Sequence, residues 1–134
     1  MFLLTLNKGM NFALPDVCNT PAPTGILPIP YPNISNPAEA DSSSAAKNVI
    51  VDGAKALNLM SEISSSEGDE PGEEGGVISA ETGGASRFLL GSTTVFINGA
   101  PAVRVTSEVG QNGEIMNCMG VSMVPTQTIL LVLG

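Results

Sequence analysis

The chain has 134 residues, enough for one domain, and its 15 glycines and 10 prolines interrupt it too often for long helices. Its formal net charge of −8 opposes phosphate backbones, so nucleic acid is not an expected partner. The absence of histidine removes Ser-His and Cys-His nucleophilic sites and imidazole-based zinc sites, and no apolar run reaches the roughly 18 residues of a membrane helix, so no stable membrane anchoring is expected.

The N-terminal Met1–Leu6 is apolar but short. No basic segment precedes it and no cleavage pattern follows, so it reads as a strand or arm rather than a signal peptide. Residues 15–37 hold Pro15, Pro21, Pro23, Pro28, Pro30, Pro32 and Pro37. Proline lacks an amide donor, so this stretch is expected to stay outside a sheet, with a polyproline-like path over residues 27–32. Residues 35–47 are small and polar, a loop with one helical turn at most.

Residues 48–63 and 94–109 are then two copies of one pattern, offset by a constant 46 residues. Val49 matches Val95, Gly53 matches Gly99, Ala56 matches Ala102, and Ser61-Glu62 matches Ser107-Glu108. Each copy carries a turn dipeptide, Asp52-Gly53 or Asn98-Gly99, between short β-prone runs. Tight hairpin turns need positive φ at both centres, which Asp, Asn and Gly tolerate, so both copies are predicted as antiparallel hairpins over 48–59 and 94–105.

Between the copies lies an acidic stretch, residues 61–76, with Glu67, Asp69, Glu70, Glu73 and Glu74. Their spacing does not follow the alternation of a calcium loop, so a solvated, mobile loop is expected. Residues 77–90 look β-like around a Gly83-Gly84 turn, and Gln111-Asn112-Gly113 starts another turn. Thr128–Leu133 is a continuous apolar run, expected to be buried on both faces or paired with another chain. The sum is an all-β domain of short strands. No nucleophile with a base, phosphate loop or paired carboxylates outside the acidic stretch is apparent, so no catalytic residue is assigned.

Several segments together resemble the PAAR-like proteins of type VI secretion systems, in the branch with a P-I-P-Y-P-N motif. They are Pro15-Asp16-Val17-Cys18-Asn19-Thr20-Pro21, Pro28-Ile29-Pro30-Tyr31-Pro32-Asn33, Gly68-Asp69-Glu70 with Gly75-Gly76-Val77, the two hairpins, and Val124-Pro125-Thr126-Gln127-Thr128. The resemblance covers about residues 12 to 133. It implies a single domain over 1–134: an N-terminal arm at 1–11 and a compact cone of β-hairpins with long loops and pseudo-threefold repetition. The two copies would supply two edges, and Val77–Leu90 or the C-terminal segment the third.

The function implied is a structural spike tip, without enzymatic activity. It would cap and sharpen a VgrG-type trimer, one monomer per trimer, assembled in the cytoplasm and then exported by the injection apparatus. An alternative is an adaptor that holds a separate effector or chaperone; a small metal-using enzyme is a third reading. Because the chain ends after the last apolar strand, no fused toxin domain is expected. Candidate docking residues are Pro28, Ile29, Pro30, Tyr31, Pro32, Ile129, Leu131 and Leu133.

Many PAAR proteins hold zinc near the apex through histidines and a cysteine. The place of a His-Asn pair is taken here by Gln111-Asn112. With no histidine and only two thiols, no metal or other cofactor is expected, and zinc in particular is disfavoured. Packing, or a contact within the candidate thiol pair Cys18 and Cys118, would hold the apex instead.

Overall fold

A computed structural model describes residues 1–132 of the chain. The strands in chain order are β1 (Met10–Ala22), β2 (Gly25–Ser35), β3 (Ile50–Val51), β4 (Ala54–Lys55), β5 (Glu62–Ile63), β6 (Ser86–Phe88), β7 (Phe96–Ile97), β8 (Ala100–Pro101), β9 (Glu108–Gln111) and β10 (Cys118–Val124). Two single 3-10 turns, Pro37–Glu39 and Ser42–Ser44, are the only helical segments among the described residues. Asn36 and Asp41 cap them by accepting the amides of Ala38 and Ser43. Six strands form one antiparallel sheet in the order β2-β1-β10-β9-β6-β5, and β3-β4 and β7-β8 are separate hairpins. The fold is all-β, as the sequence predicts.

The two hairpins turn where the repeat places them. Asp52 and Gly53 sit at φ +52° and +78°, and Asn98 and Gly99 at +53° and +81°. A third unit completes them, and its two halves come from the opposite ends of the chain. Residues 2–6 run beside the segments 55–59 and 101–105 in a closed ring. Thr5 bridges Ala56, Asn58 bridges Ala102, and Arg104 bridges Leu3. The hydrogen bonds cycle the same way: Leu6 N–H donates to Lys55 C=O at 2.8 Å, Leu59 to Pro101 at 2.9 Å and Val105 to Phe2 at 3.0 Å. On the outside of the ring, Ala56 donates to Val49, Ala102 to Val95 and Leu3 to Leu130. The pseudo-threefold repetition is therefore real.

This ring corrects one expectation and chooses between two alternatives. Residues 1–11 are not an arm: Leu3, Leu4 and Thr5 are fully buried. Of the two segments offered as the third edge, Val77–Leu90 is not used; the C-terminal segment is, with residues 1–6 as its partner strand. The core is stacked along the ring. One layer holds Leu3, Ala46, Ala56, Ile97, Ala102 and Val132. The next holds Leu4, Leu57 and Val103 with Ile63, Phe88 and Val109. Small and branched aliphatic side chains suit such a narrow axis, which explains the scarcity of aromatics.

The proline-rich stretch departs from expectation too. It lies within strands: Pro15 and Pro21 in β1, and Pro28, Pro30 and Pro32 in β2. The pairing tolerates this because β2 is the sheet edge and its prolines alternate. Pro28 and Pro30 oppose Asn19 and Val17. Those two residues turn their own main chain the other way: Asn19 N–H donates to Gly75 C=O at 2.8 Å, and Val17 C=O accepts from Val77 N–H at 3.0 Å. The residues between the prolines, Ile29 and Tyr31, remain to pair with Cys18 and Asp16.

The acidic stretch is tied down rather than mobile. Ile34 and Glu67 exchange main-chain bonds at 2.7 and 2.8 Å, and residues 74–77 line β1. Glu67, Glu70, Glu73 and Glu74 reach solvent, whereas Asp69 is fully buried. Residues 77–80 form a turn, and the strand there is limited to Ser86–Phe88. Finally, the apolar C-terminal run is not buried on both faces. Ile129, Leu130 and Leu131 are exposed, and Val132 alone of the residues 129–132 is buried.

Candidate functional site

Beyond the aliphatic layers, β9 carries the chain from Val109 to Gln111, and Asn112 follows at φ +59° in the turn to β10. Three segments meet there: β1 at Asp16 and Cys18, the loop at Asp69, and this turn with Asn117 and Cys118. Asp16, Cys18 and Asp69 each offer a ligand atom, and all three atoms lie within 4.8 Å of one another in a fully buried group.

Each member is held in place. Asp16 Oδ1 accepts from Asn117 Nδ2, from Asn112 Nδ2 at 3.2 Å and from the Cys18 thiol at 3.6 Å. The two asparagines are themselves oriented by main chain. Asn117 Oδ1 accepts from Ile78 and Ser79 N–H at 2.8 and 3.2 Å, and Asn112 Oδ1 accepts from Gly84 N–H at 2.8 Å. Asp69 accepts Gly83 N–H with both carboxylate oxygens, at 3.0 and 3.2 Å, and the Cys18 thiol reaches Asp69 Oδ2 at 3.8 Å. Asp16 Oδ2 has no partner. None of these donors is a cation.

Close approach of the loop depends on glycine. A Cβ on Gly72 would stand 2.3 Å from Cys18 Cβ, and one on Gly76 would stand 2.3 Å from the Asn117 amide. The spacing of glycines around the acidic residues thus serves contact with β1.

Burial pushes the Cys18 thiol up to about 12, with the charges of Asp16 and Asp69 adding to it. Cys118 is raised to about 12 by burial first, then by Asp16, Asp69 and Cys18. Both cysteines are free thiols. Asp69 is raised to about 6, first by desolvation and then by the neighbouring Asp16 carboxyl, against the Gly83 N–H.

The expected site residues fall in three places. Cys18 and Cys118 are at this buried cluster. The turns Asp52-Gly53 and Asn98-Gly99 are at the hairpin tips of the threefold ring; Leu131 bridges Phe2 in the third unit, and Ile129 precedes it with its N–H donating to Gln127 Oε1. Pro28, Ile29, Pro30, Tyr31 and Pro32 lie on β2 beside the cluster, with the Tyr31 hydroxyl 2.8 Å from Thr20 Oγ1. The two proposed docking segments are therefore parts of different elements, and Leu133 lies outside the described residues. Gln111, in the place of the missing histidine, is fully buried with both side-chain amide atoms unpartnered.

Sequence reasoning missed the carboxylate pair. Asp16 and Asp69 are distant in sequence, and nothing in their spacing joins them. The only signal was that each stands within a motif of the resemblance. The donors do suit a metal ion: one thiol, two carboxylates, an orphaned buried oxygen and no competing cation. The lack of histidine argues against an imidazole site, not against this set.

A family model of the toxin PAAR-like domain matches residues 9–120. The chain belongs to the PAAR-like proteins. No curated protein and no solved structure matches it.

Proposed function

We propose that this chain caps the blunt end of a VgrG-type spike trimer of a type VI secretion system, one monomer per trimer. The observation that carries the reading is a triangle of exposed apolar side chains. Ile50, Phe96 and Leu131 occupy equivalent places in the three units, opposite Lys55, Pro101 and Phe2. They are 64%, 60% and 53% exposed. A trimer presents the same surface three times, and a monomer meets all three alike only by carrying three like surfaces of its own. Leaving three large apolar groups in water around one axis is otherwise unfavourable. Assembly takes place in the cytoplasm, and the tip leaves with the spike. The role is mechanical and involves no reaction.

A second task, holding an effector, is favoured by one further feature. Met119, Val121 and Met123 alternate along β10 and are 51%, 41% and 52% exposed, an apolar stripe away from the triangle. Adaptable methionines suit varied partners.

The test is the mass of the complex formed with a purified spike trimer, at low and high salt. One chain per trimer, retained at high salt, is expected of an apolar contact. Three chains per trimer, or release by salt alone, overturns the reading. Cargo that co-purifies with the wild type but not with a Met119→Asp, Met123→Asp variant supports the second task.

A further inference from the structure

We propose that the outer face of β1 and β10, with the acidic cleft beside it, docks a basic amphipathic helix of another protein. This rests on the reading that the chain holds cargo, and it names the kind of segment that is held.

The two strands are patterned inside out. Toward the core they turn Asn11 and Ala13 from β1 and Cys118 and Ser122 from β10, all buried. Asn11 Nδ2 donates to Ser35 Oγ at 3.1 Å within that layer. Away from the core they turn Phe12 and Leu14, and Met119, Val121 and Met123. Phe12 lies opposite Val121, and Met119 opposite Gly110. Met116 covers Gly110 so closely that a Cβ there would stand 3.0 Å from its Sδ. Leu14, Met116, Met119, Val121 and Met123 are all exposed. A strand with one solvated face normally carries its polar residues on that face. The reverse order leaves a continuous apolar sheet face in water, the kind of surface that a second layer of structure covers.

The sheet admits a helix on this face better than a strand at its edges. On edge strand β2, Pro28, Pro30 and Pro32 have no amide to offer an added strand. At the opposite edge Ala40 bridges Ile63, and Asp41 N–H donates to Glu62 C=O at 2.7 Å. A helix needs no edge. It satisfies its own main chain and lays apolar side chains across the sheet.

Charge selects the helix. The row Met119, Gly110, Arg87, Glu62 crosses the face and ends at a cleft of about 570 Å³. Glu62, Glu81 and Glu114 line the cleft, and among the described residues no lysine or arginine does. Arg87, the base of that row, is already engaged with Glu114 C=O. A second copy of this chain, at net charge −8, would set carboxylates against carboxylates. An anionic lipid surface is repelled for the same reason. A helix with leucine-like residues along one side and lysine or arginine beside them meets the methionines and the carboxylates together.

The probe is a synthetic helix of about 18 residues, leucine on one face and lysine on the other, titrated against the full chain by fluorescence anisotropy. One control peptide has the same composition in scrambled order, and another has glutamate in place of lysine. Both should bind at least tenfold more weakly. Met119→Asp should weaken binding of the lysine helix at least tenfold. Glu114→Gln should weaken it about threefold and make it less sensitive to salt. Asp52→Asn removes the same charge at a hairpin tip, in a turn where Asn98 holds the equivalent place, and should change nothing. Far-ultraviolet circular dichroism confirms that each variant is folded. Equal binding by either control peptide, or equal losses in Asp52→Asn and Glu114→Gln, overturns the proposal. So does binding to phosphatidylglycerol vesicles that Met119→Asp abolishes, which would make the face a lipid surface. If the lysine helix binds here but no cargo co-purifies, the surface stands and the cargo reading falls. Cargo held through Met119 and Met123, without any binding of the lysine helix, has the opposite meaning.

Discussion

Met1 and Val132 close the third hairpin with no turn between them. Val132 N–H donates to Met1 C=O at 2.7 Å, and the Met1 ammonium donates to Val132 C=O at 3.2 Å. The pairs Asp52-Gly53 and Asn98-Gly99 do covalently in the other two units what these bonds do here. The strand that follows Met1 is consequently core. Leu4 meets Leu57 and Val103 in one buried layer. Leu4→Ala is expected to lower stability by about 2–5 kcal/mol, as is Leu57→Ala at the equivalent place. Leu131→Ala, on the same hairpin but exposed, should change it by less than about 0.5 kcal/mol. Urea midpoints decide this. Equal midpoints for Leu4→Ala and wild type would mean that the N-terminal segment is no part of the core.

The two covalent turns make a matched pair of measurements. A Cβ at Gly53 or Gly99 meets nothing within 4 Å, so the only effect of a methyl is on the backbone, at φ +78° and +81°. Gly53→Ala and Gly99→Ala should each cost about 1 kcal/mol, and nearly the same amount. A cost at one site several times that at the other would show that the repeat is not structurally equivalent.

What the sequence made legible follows from range. A turn such as Asn98-Gly99 is specified by two adjacent residues, so it reads directly. The third unit does not, because its strands come from residues 2–6 and 130–132 and no turn dipeptide joins them. The prolines of β2 misled for a related reason. Whether Pro28 and Pro30 break a strand depends on which way Asn19 and Val17 turn their main chain, and that is settled by residues 75 and 77 of a distant loop. Asp69 looked like one more exposed acid. Its burial follows from Gly72 admitting the loop against Cys18, a contact that local composition does not encode.

The thiols should be inert in the folded chain. Both are buried, and both are pushed up to about 12 by burial and neighbouring carboxylates. Thiolate is the reactive form, so almost none is present at neutral pH. A disulfide-exchange reagent at pH 8 should modify neither cysteine on the timescale of a free thiol, and both should react once the chain is unfolded in urea. Rapid modification of one equivalent in the native protein would contradict this environment.

At the exposed triangle, substitution should separate binding from folding. Ile50→Ala, Phe96→Ala and Leu131→Ala each remove apolar surface from water-facing positions, so denaturation midpoints should barely move. Affinity for the spike trimer should fall, and most for Phe96, since large aromatic anchors dominate interface energies; a loss of about 2 kcal/mol is roughly thirtyfold. Titration calorimetry with each variant measures it. Unchanged affinity in all three would place the contact elsewhere on the surface.

The contribution of Asp69 to stability should fall as pH rises from about 4 to about 6. Asp69 is raised from 3.8 to about 6, first by desolvation and then by the neighbouring Asp16 carboxyl. A carboxyl raised on folding binds its proton more tightly in the native state than in the unfolded chain. Its stabilising contribution is therefore complete below about pH 4 and is lost as pH climbs through about 6. Other carboxylates behave oppositely. Asp41, lowered by the Ser43 amide and hydroxyl, adds stability above its unfolded value and loses it as the solution is acidified. The contribution of Asp69 is isolated by comparison with Asp69→Asn, which keeps the shape and removes the titration. The stability of the wild type relative to this variant, in chelator, should fall between pH 4 and 6 and stay level above 7. A difference that is flat across this range would mean that Asp69 does not carry its charge in a desolvated site.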